Sequence, residues 1–166
     1  MRVVAIRHAK SDYPIGTSDH DRPLAQRGVR EAPAIGRWLE EAFTWQGAAP
    51  VVLVSSAKRT RQTWSLAAEQ LSPRWQDIVV VEAPEAYEAS VQTLRELIAR
   101  QHAPNIVIVA HNPGLQSLVC AAHPSPARDA AIIKFPTSAI SVLEARDEVA
   151  WLAGDYDCLD YVVARP

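Results

Sequence analysis

The chain has 166 residues, a formal net charge of −2 and two cysteines. This length predicts a single domain spanning residues 1–166, which can bury roughly 70% of its extended-chain surface without a disulfide or metal to stabilise it. The slightly acidic balance argues against general binding of nucleic acid or of membrane surfaces. Cys120 and Cys158 lack CxxC or zinc-ligand spacing, which fits a reduced compartment. With no transmembrane-length apolar run and no signal pattern, the sequence predicts a cytoplasmic protein.

Short apolar runs and helical repeats alternate along the chain. Four runs rich in β-branched residues predict strands at 2–6, 51–54, 78–81 and 106–110. Apolar residues at helical spacing predict helices at 28–43, from a cap at Ser55 or Ser56 to residue 71, at 91–101 and at 115–122. Residues 138–144 and 149–153 predict a hairpin or two edge strands. Strands separated in succession by helices are typical of an α/β fold with a largely parallel sheet.

Polar side chains follow three of the predicted strands, at the ends where open α/β sheets bind their ligands. The first strand leads directly into Arg7 and His8. The second is followed by the segment that carries Arg59, and the fourth by His111 and Asn112. Because the carboxyl ends of parallel strands share one edge of the sheet, we expect these side chains to lie close together.

Two imidazoles and two guanidiniums at one edge predict an anion site. Arginine pairs two oxygens of a phosphate at once, and the first turn of a helix, where Arg59 is expected, also favours an anion. A neutral histidine can attack phosphorus to give a phosphohistidine intermediate, and a protonated second histidine would bind the equatorial oxygens. Since no cluster of metal-binding carboxylates accompanies them, we expect a two-step transfer to water with no cofactor and no metal.

Four motifs in the chain resemble the histidine phosphatase superfamily, and most of all its small branch, the SixA-type phosphohistidine phosphatases. They are RHAKS at 7–11, DHDRPLAQRG at 19–28, SSAKRTRQT at 55–63 and AHNPG at 110–114. The resemblance implies a phosphoglycerate mutase-like fold, with three layers (α/β/α), a mostly parallel central sheet and no large cap. It also implies a metal-independent phosphatase whose partner is a phosphorylated substrate, either a phosphohistidine protein or a small phosphorylated metabolite.

Each motif residue takes a role from this resemblance. His8 is implied to be the phosphorylated nucleophile, and Arg7, Arg59 and His111 are implied to form the phosphate pocket. The further residues implied to bind the substrate or support its site are Arg22, Asn112 and Ser11.

Three positions depart from the family pattern. Ala9 replaces the glycine that usually follows the nucleophilic histidine, a change small enough to be compatible with activity. Pro14 stands where the mutase branch carries asparagine, which argues against mutase activity. Ala25 replaces the usual serine or threonine and so removes a helix cap worth about 1 kcal/mol.

The proton donor for the leaving group is the least defined part of the predicted site. Related ester phosphatases place an acid in the loop after the third strand, here residues 83–90, where Glu88 is the first candidate and Glu85 the second. Asp19 and Asp21 are further candidates. Expelling an alkoxide needs a proton donor, whereas a phosphoimidazole leaves as neutral imidazole once its other nitrogen is protonated. A missing acid would therefore favour a phosphohistidine substrate.

Two other functions stay open at this point. One is a phosphomonoesterase of small metabolites such as sugar or nucleotide phosphates. The other is a non-catalytic module that binds phosphate or phosphoproteins. The complete set of two histidines and two arginines argues against the second, because a module without turnover would not need all four.

Overall fold

Six strands form one sheet with six α-helices packed against it, in a computed structural model that describes residues 1–166. The strands are Arg2–Arg7 (β1), Val51–Ser55 (β2), Val79–Ala83 (β3), Asn105–Ala110 (β4), Ala139–Glu144 (β5) and Asp157–Val163 (β6). The helices are Gln26–Ala42 (α1), Lys58–Ala68 (α2), Val91–Ala99 (α3), Gly114–Cys120 (α4), Pro126–Ile133 (α5) and Glu148–Ala153 (α6). None of the helices combines the length and the apolar composition needed to cross a bilayer.

The strand order places the predicted site at the centre of the sheet. The order is β3-β2-β4-β1-β5-β6, in which β3, β2, β4 and β1 are parallel and β5 is antiparallel to both of its neighbours. Arg7 pairs in register with Ala110, and Val54 pairs with Val109. The carboxyl ends of β1, β4 and β2 therefore lie side by side, which confirms the predicted α/β class with a mostly parallel sheet.

Alternate side chains of β1 enter two separate cores. Val3 and Ala5 pack in a core with α3 to α6, whereas Val4 and Ile6 pack in the other with α1 and α2. All six residues of β4 are buried, as expected for a central strand covered by helices on both faces. The three-layer arrangement is therefore confirmed, and no large cap covers the carboxyl edge of the sheet.

The prediction of a strand at residues 149–153 is wrong, because this segment forms α6. The side chain of Asp147 caps the helix by accepting a hydrogen bond from the backbone N–H of Ala150 at 2.8 Å. Gly154 ends it in the left-handed region at φ 80°. Trp151 is fully buried on the helix face that packs on the core. The second edge strand is instead β6.

The expected serine cap of α2 is also absent. The helix begins at Lys58 after Ala57, and no side chain caps it. The hydroxyl groups of Ser55 and Ser56 are used elsewhere, in hydrogen bonds to ring nitrogens of His111 and His20 at 2.8 and 2.9 Å. The tertiary contacts of these two serines thus replace the local capping bond that their position predicted.

Helix α1 packs directly against the chain that follows β1. A Cβ atom added to Gly28 would lie 2.1 Å from the carbonyl oxygen of Lys10, a distance that no side chain tolerates. The same oxygen accepts a hydrogen bond from the backbone N–H of Ala25 at 2.9 Å. Glycine at this position therefore lets α1 hold the residues that follow His8.

Candidate active site

A cleft of about 470 Å³ opens at the carboxyl edge of the sheet, between the ends of β1, β2 and β4. It brings together most of the residues that the sequence singled out. Those lining it are Arg7, His8, Ser11, Asp19, Arg22, Arg59, Glu88, His111 and Asn112. The structure thus gathers residues from five separate segments of the chain around one cavity.

His8 is held in a single orientation at the base of this cleft. Its ring is 6% exposed, and Nδ1 lies 2.7 Å from the carbonyl oxygen of Ala9. Because a carbonyl oxygen can only accept, Nδ1 carries the proton and Nε2 keeps its lone pair. The Nε atom of Arg59 donates to this Nε2 at 3.2 Å. His8 therefore presents an unprotonated nitrogen beside a guanidinium group.

The charge state of His8 follows from its surroundings. Burial, together with the nearby His111, Arg59 and Arg7, lowers the pKa of His8 from 6.5 to about 3. Desolvation and positive neighbours both disfavour the imidazolium form. At neutral pH the ring is thus uncharged, which is the form that can act as a nucleophile.

His111 lies on the opposite side of the same space. The centroid of its ring is 5.1 Å from that of His8, and its Nε2 is hydrogen-bonded to the hydroxyl of Ser55 at 2.8 Å. Burial is the largest cause that lowers the pKa of His111 to about 3, followed by the charge of Arg59. His111 is therefore neutral in the free protein, and an anion in the cleft would offset the arginine charges and favour its protonation.

The two arginines reach the cleft from different elements, Arg7 from the end of β1 and Arg59 from the first turn of α2. Arg7 donates from Nη1 to the carbonyl oxygen of Phe135 at 2.7 Å, and its buried Nε has no hydrogen-bond partner. Arg59 donates from Nη1 to the carbonyl oxygen of Asp19 at 2.6 Å and from Nη2 to the carboxylate at 3.1 Å. Both guanidiniums are thus anchored at one end while they border the space in front of His8.

Asp19 serves in this site as a counter-ion. Its carboxylate accepts hydrogen bonds from the hydroxyl of Tyr87 at 2.6 Å, from Arg22 at 2.8 Å and from Arg59 at 3.1 Å. These bonds, that of Tyr87 first, hold the pKa of Asp19 well below its usual range. Asp19 therefore stays ionised and does not suit the role of proton donor. Asp21, the other aspartate considered, is exposed and does not line the cleft.

Of the two glutamates after the third strand, only Glu88 lines the cleft. Glu85 lies in a single 3-10 turn, Pro84–Ala86, which directs it toward the end of α3. There its carboxylate pairs with Arg100 at 3.5 Å, outside the cleft. Glu85, the second candidate, is therefore not placed to act as the proton donor, because a donor must reach the leaving group. Glu88 itself lies at φ 54°, in the left-handed region.

The residues expected to support the substrate site are mainly engaged with the protein. Arg22 donates to the hydroxyl of Ser11 at 2.7 Å and to the carbonyl oxygen of Asp12 at 2.8 Å. The amide nitrogen of Asn112 donates to the carbonyl oxygen of Phe135 at 3.0 Å, while its Oδ1 is buried without a partner. These side chains therefore order the loops that line the cleft.

Two residues that shape the site, Tyr87 and Thr63, were missed by the sequence analysis. The ring of Tyr87 lies edge-on to those of His111 and His20, with centroids 5.4 and 5.0 Å apart. His20 contacts Tyr87 but does not itself line the cleft. Tyr87 lies beside the two glutamates that were considered as acids, and this position in the same loop was the available signal.

Thr63 was the second residue missed. Its hydroxyl accepts from the backbone N–H of Ala9 at 3.0 Å and donates to the carbonyl oxygen of Arg59 at 2.7 Å. Thr63 thereby ties the chain after His8 to helix α2. Its place four residues after Arg59, on the same helix face, was the signal that could have revealed it.

The lowered pKa values predict that His8 and His111 stay neutral in mildly acidic solution. We expect their ring resonances in NMR spectra of the free protein to keep the positions of neutral imidazole from about pH 8 to about pH 5. Variants His8→Gln and His111→Gln would assign the two signals. A titration midpoint near 6.5 for either ring would show that burial and the arginines do not depress its pKa.

Comparison with known proteins agrees with this fold. Residues 3–83 match the model of the histidine phosphatase superfamily (branch 1). The uncharacterised protein Rv1276c of Mycobacterium tuberculosis is 38% identical over 145 residues, which cover 83% of this chain and 85% of that protein.

Two solved structures are similar over nearly the whole chain. One is from Nakamurella multipartitia, with a TM-score of 0.81 and 25% identity, covering 98% of this chain and 95% of the other. The second is from Agrobacterium tumefaciens, with a TM-score of 0.77 and 29% identity, covering 97% of each chain. Both are assigned as the phosphohistidine phosphatase SixA.

The fold and the cleft, with its paired imidazoles and guanidiniums, define an α/β phosphatase. The chain belongs to the histidine phosphatase superfamily and is of its SixA type. The resemblance inferred from the four sequence motifs is thereby confirmed.

Proposed function

We propose that this phosphatase removes phosphoryl groups from phosphohistidine, through a covalent intermediate on its own His8 and without a metal ion. The observation that carries the proposal is the unprotonated Nε2 of His8, which lies 3.2 Å from the Nε of Arg59 within the cleft. The hydrogen bond from Nδ1 to the carbonyl oxygen of Ala9 keeps the proton on Nδ1, so Nε2 retains its lone pair. Nε2 is therefore the nucleophilic atom.

In the first step the lone pair of Nε2 attacks phosphorus. The new bond from Nε2 to phosphorus forms as the bond to the leaving group breaks, and the electron pair of that bond goes to the leaving atom. The ring of His8 gains a positive charge, which the carbonyl of Ala9 stabilises through Nδ1–H. Arg7 and Arg59 bind the oxygens of the transferred group, where fixed positive charge stabilises the transition state.

His111 takes its charge from the substrate. A phosphoryl dianion in the cleft offsets the two guanidiniums that depress the pKa of His111, so the ring can bind a proton and donate to an equatorial oxygen. Asp19 remains paired with Arg22 and Tyr87 when the phosphoryl group engages Arg59. The cleft thus exchanges an internal carboxylate for the phosphate at one guanidinium.

The second step transfers the phosphoryl group to water. A water molecule attacks phosphorus, the bond to Nε2 breaks, and its electron pair returns to the nitrogen. Both protons of the water stay with the departing dihydrogen phosphate, and His8 regains its neutral form with Nδ1 protonated. No further group needs to change its charge permanently.

The choice of phosphohistidine as substrate can be tested through the proton that the leaving group needs. Glu88 is the only carboxylate in the cleft not committed to arginine side chains. An imidazole that is protonated on its free nitrogen leaves as a neutral molecule and needs no proton donor from the enzyme. An alkoxide leaves only if the enzyme protonates it. The two similar structures assigned as SixA support the same substrate class.

One experiment tests this function and the role of Glu88 together. Phosphate release would be measured with EDTA present, from a phosphohistidine peptide and from glycerol phosphate, for the natural chain and for Glu88→Gln. We expect the variant to keep its activity on the peptide and to lose any activity on the ester by about a hundredfold. Glu85→Gln is the matched control, since Glu85 lies outside the cleft.

Other outcomes would point to the remaining functions. Equal losses on both substrates in Glu88→Gln would contradict the leaving-group argument. Turnover of sugar or nucleotide phosphates without turnover of phosphohistidine would indicate a phosphatase of small metabolites. Retained phosphate binding without turnover of any substrate would indicate a phosphate-binding module.

A further inference from the structure

A second cleft, of about 510 Å³, adjoins the active-site cleft. Arg7, Lys10, Asn112 and Thr137 line both cavities, so the two are continuous. Five basic side chains and no carboxylate line the second cleft, which we call the basic cleft. Its basic residues are Arg7, Lys10, Arg27, Lys134 and Arg165.

The positive charge of the basic cleft is only partly compensated. Glu31, whose side chain is 3% exposed, lies beneath it and pairs with Arg27 at 2.6 Å and with Arg165 at 3.4 Å. One carboxylate cannot neutralise both guanidiniums. Lys10 and Lys134 are exposed and form no ion pair. In a chain with a net charge of −2, this cleft is therefore a local positive region.

The wall between the two clefts is held in place by hydrogen bonds. The carbonyl oxygen of Phe135 accepts from Arg7 at 2.7 Å and from Asn112 at 3.0 Å. The hydroxyl of Tyr161 donates to the carbonyl of Lys134. The lysine backbone is thus positioned before any ligand arrives, which reduces the entropy lost on binding.

We propose that the basic cleft binds aspartate or glutamate side chains that flank the phosphohistidine of a protein substrate. This inference rests on the proposed function and names the kind of protein that the site accepts. Carboxylates provide the charge that Lys10 and Lys134 lack. The side chain of Ile133, 86% exposed, lies at the same cleft and offers an apolar contact that a polypeptide covers and a small anion does not.

We expect the basic cleft to affect substrate binding and not the chemical step. The contacts are remote from phosphorus and are made equally in the ground state and the transition state, so they lower KM and leave kcat unchanged. Contacts between exposed charges are weakened by salt. A preference for acidic substrates should therefore decline as ionic strength rises.

Two phosphohistidine peptides of equal length test the proposal, one with glutamates and the other with glutamines beside the phosphohistidine. For the natural chain we expect the KM of the acidic peptide to be about fivefold lower than that of the glutamine peptide. In Lys134→Gln we expect this ratio of KM values to shrink by about threefold. Hydrolysis of p-nitrophenyl phosphate, which has no second anion, should be the same in Lys134→Gln and the natural chain.

Arg146→Gln is the matched control. It also removes one positive charge, from a side chain that is 81% exposed near the amino end of β1, opposite the site. Equal KM values for the two peptides, or equal losses in both variants, would overturn the proposal. If Lys134→Gln raised KM for small diphosphates or phosphorylated dicarboxylates but not for the acidic peptide, the basic cleft would be reassigned to small anions.

The proposed function fails in a different way. Turnover of p-nitrophenyl phosphate with no turnover of either peptide would reject phosphohistidine as the substrate, and the protein-docking proposal with it. Turnover of both peptides at equal KM would reject only the role of the basic cleft.

Discussion

His8→Gln is expected to lower kcat by about 10⁵-fold or more, because it removes the atom that accepts the phosphoryl group. Glutamine retains an amide that can bond to the carbonyl of Ala9, and its volume fits the buried position. The variant should therefore fold while losing turnover. The measurement is release of p-nitrophenol from p-nitrophenyl phosphate with EDTA present, together with thermal unfolding.

The covalent intermediate offers an independent readout of the same prediction. Quenching the natural chain during turnover of a ³²P-labelled substrate should trap label that is lost in acid and stable in base, as expected for phosphohistidine. His8→Gln should trap none. His102→Gln is the matched control, because the side chain of His102 is 76% exposed and far from the cleft. Labelling that persists in His8→Gln would show that another residue is the nucleophile.

Arg59→Ala is expected to lower kcat/KM by about 10³-fold, the second largest effect. Arg59 is the only side chain that contacts both the Nε2 of His8 and the carboxylate of Asp19. Its loss removes positive charge next to the attacked phosphorus. It also removes the two hydrogen bonds that tie Asp19, and the loop that carries Asp19, to α2. Steady-state kinetics and the inhibition constant of inorganic phosphate would measure the two effects.

The neighbouring arginine of the same helix provides the control for this prediction. Arg61 is exposed and does not line the active-site cleft, so Arg61→Ala should retain nearly full activity. Arg59→Lys should fall between the two, since lysine keeps the charge but lacks the planar fork. If Arg59→Ala and Arg61→Ala were equally active, Arg59 would have no role in binding the phosphoryl group.

Errors in the sequence analysis occurred where local signals were short or ambiguous. The apolar run at 149–153 has a length that suits either a buried strand or a helix, and periodicity alone does not separate them. The cap at Asp147 and the glycine at 154 were the signals for a helix. Similarly, Ser55 and Ser56 had the chemistry of helix caps, but their hydroxyls contact histidines that are remote in sequence.

The position of Glu85 and the contacts of Asp19 depended on packing between loops. Glu85 and Glu88 are three residues apart and chemically identical, so only the 3-10 turn at Pro84–Ala86 decided which of them lines the cleft. Asp19 meets Tyr87 across 68 positions of the chain. No periodicity connects residues so far apart.

The amino-acid sequence alone determined the α/β class and the parallel centre of the sheet. It also placed Arg7, His8, Arg59 and His111 together at one edge of that sheet. Local patterns were sufficient here, because they specify the strands and the residues that follow them. Only the tertiary structure decided the tautomer of His8, the pairing of Asp19 and the basic cleft that continues from the active site. These depend on burial and on distances between segments, which arise when β1, β2, β4 and the chain around residues 133–137 pack together.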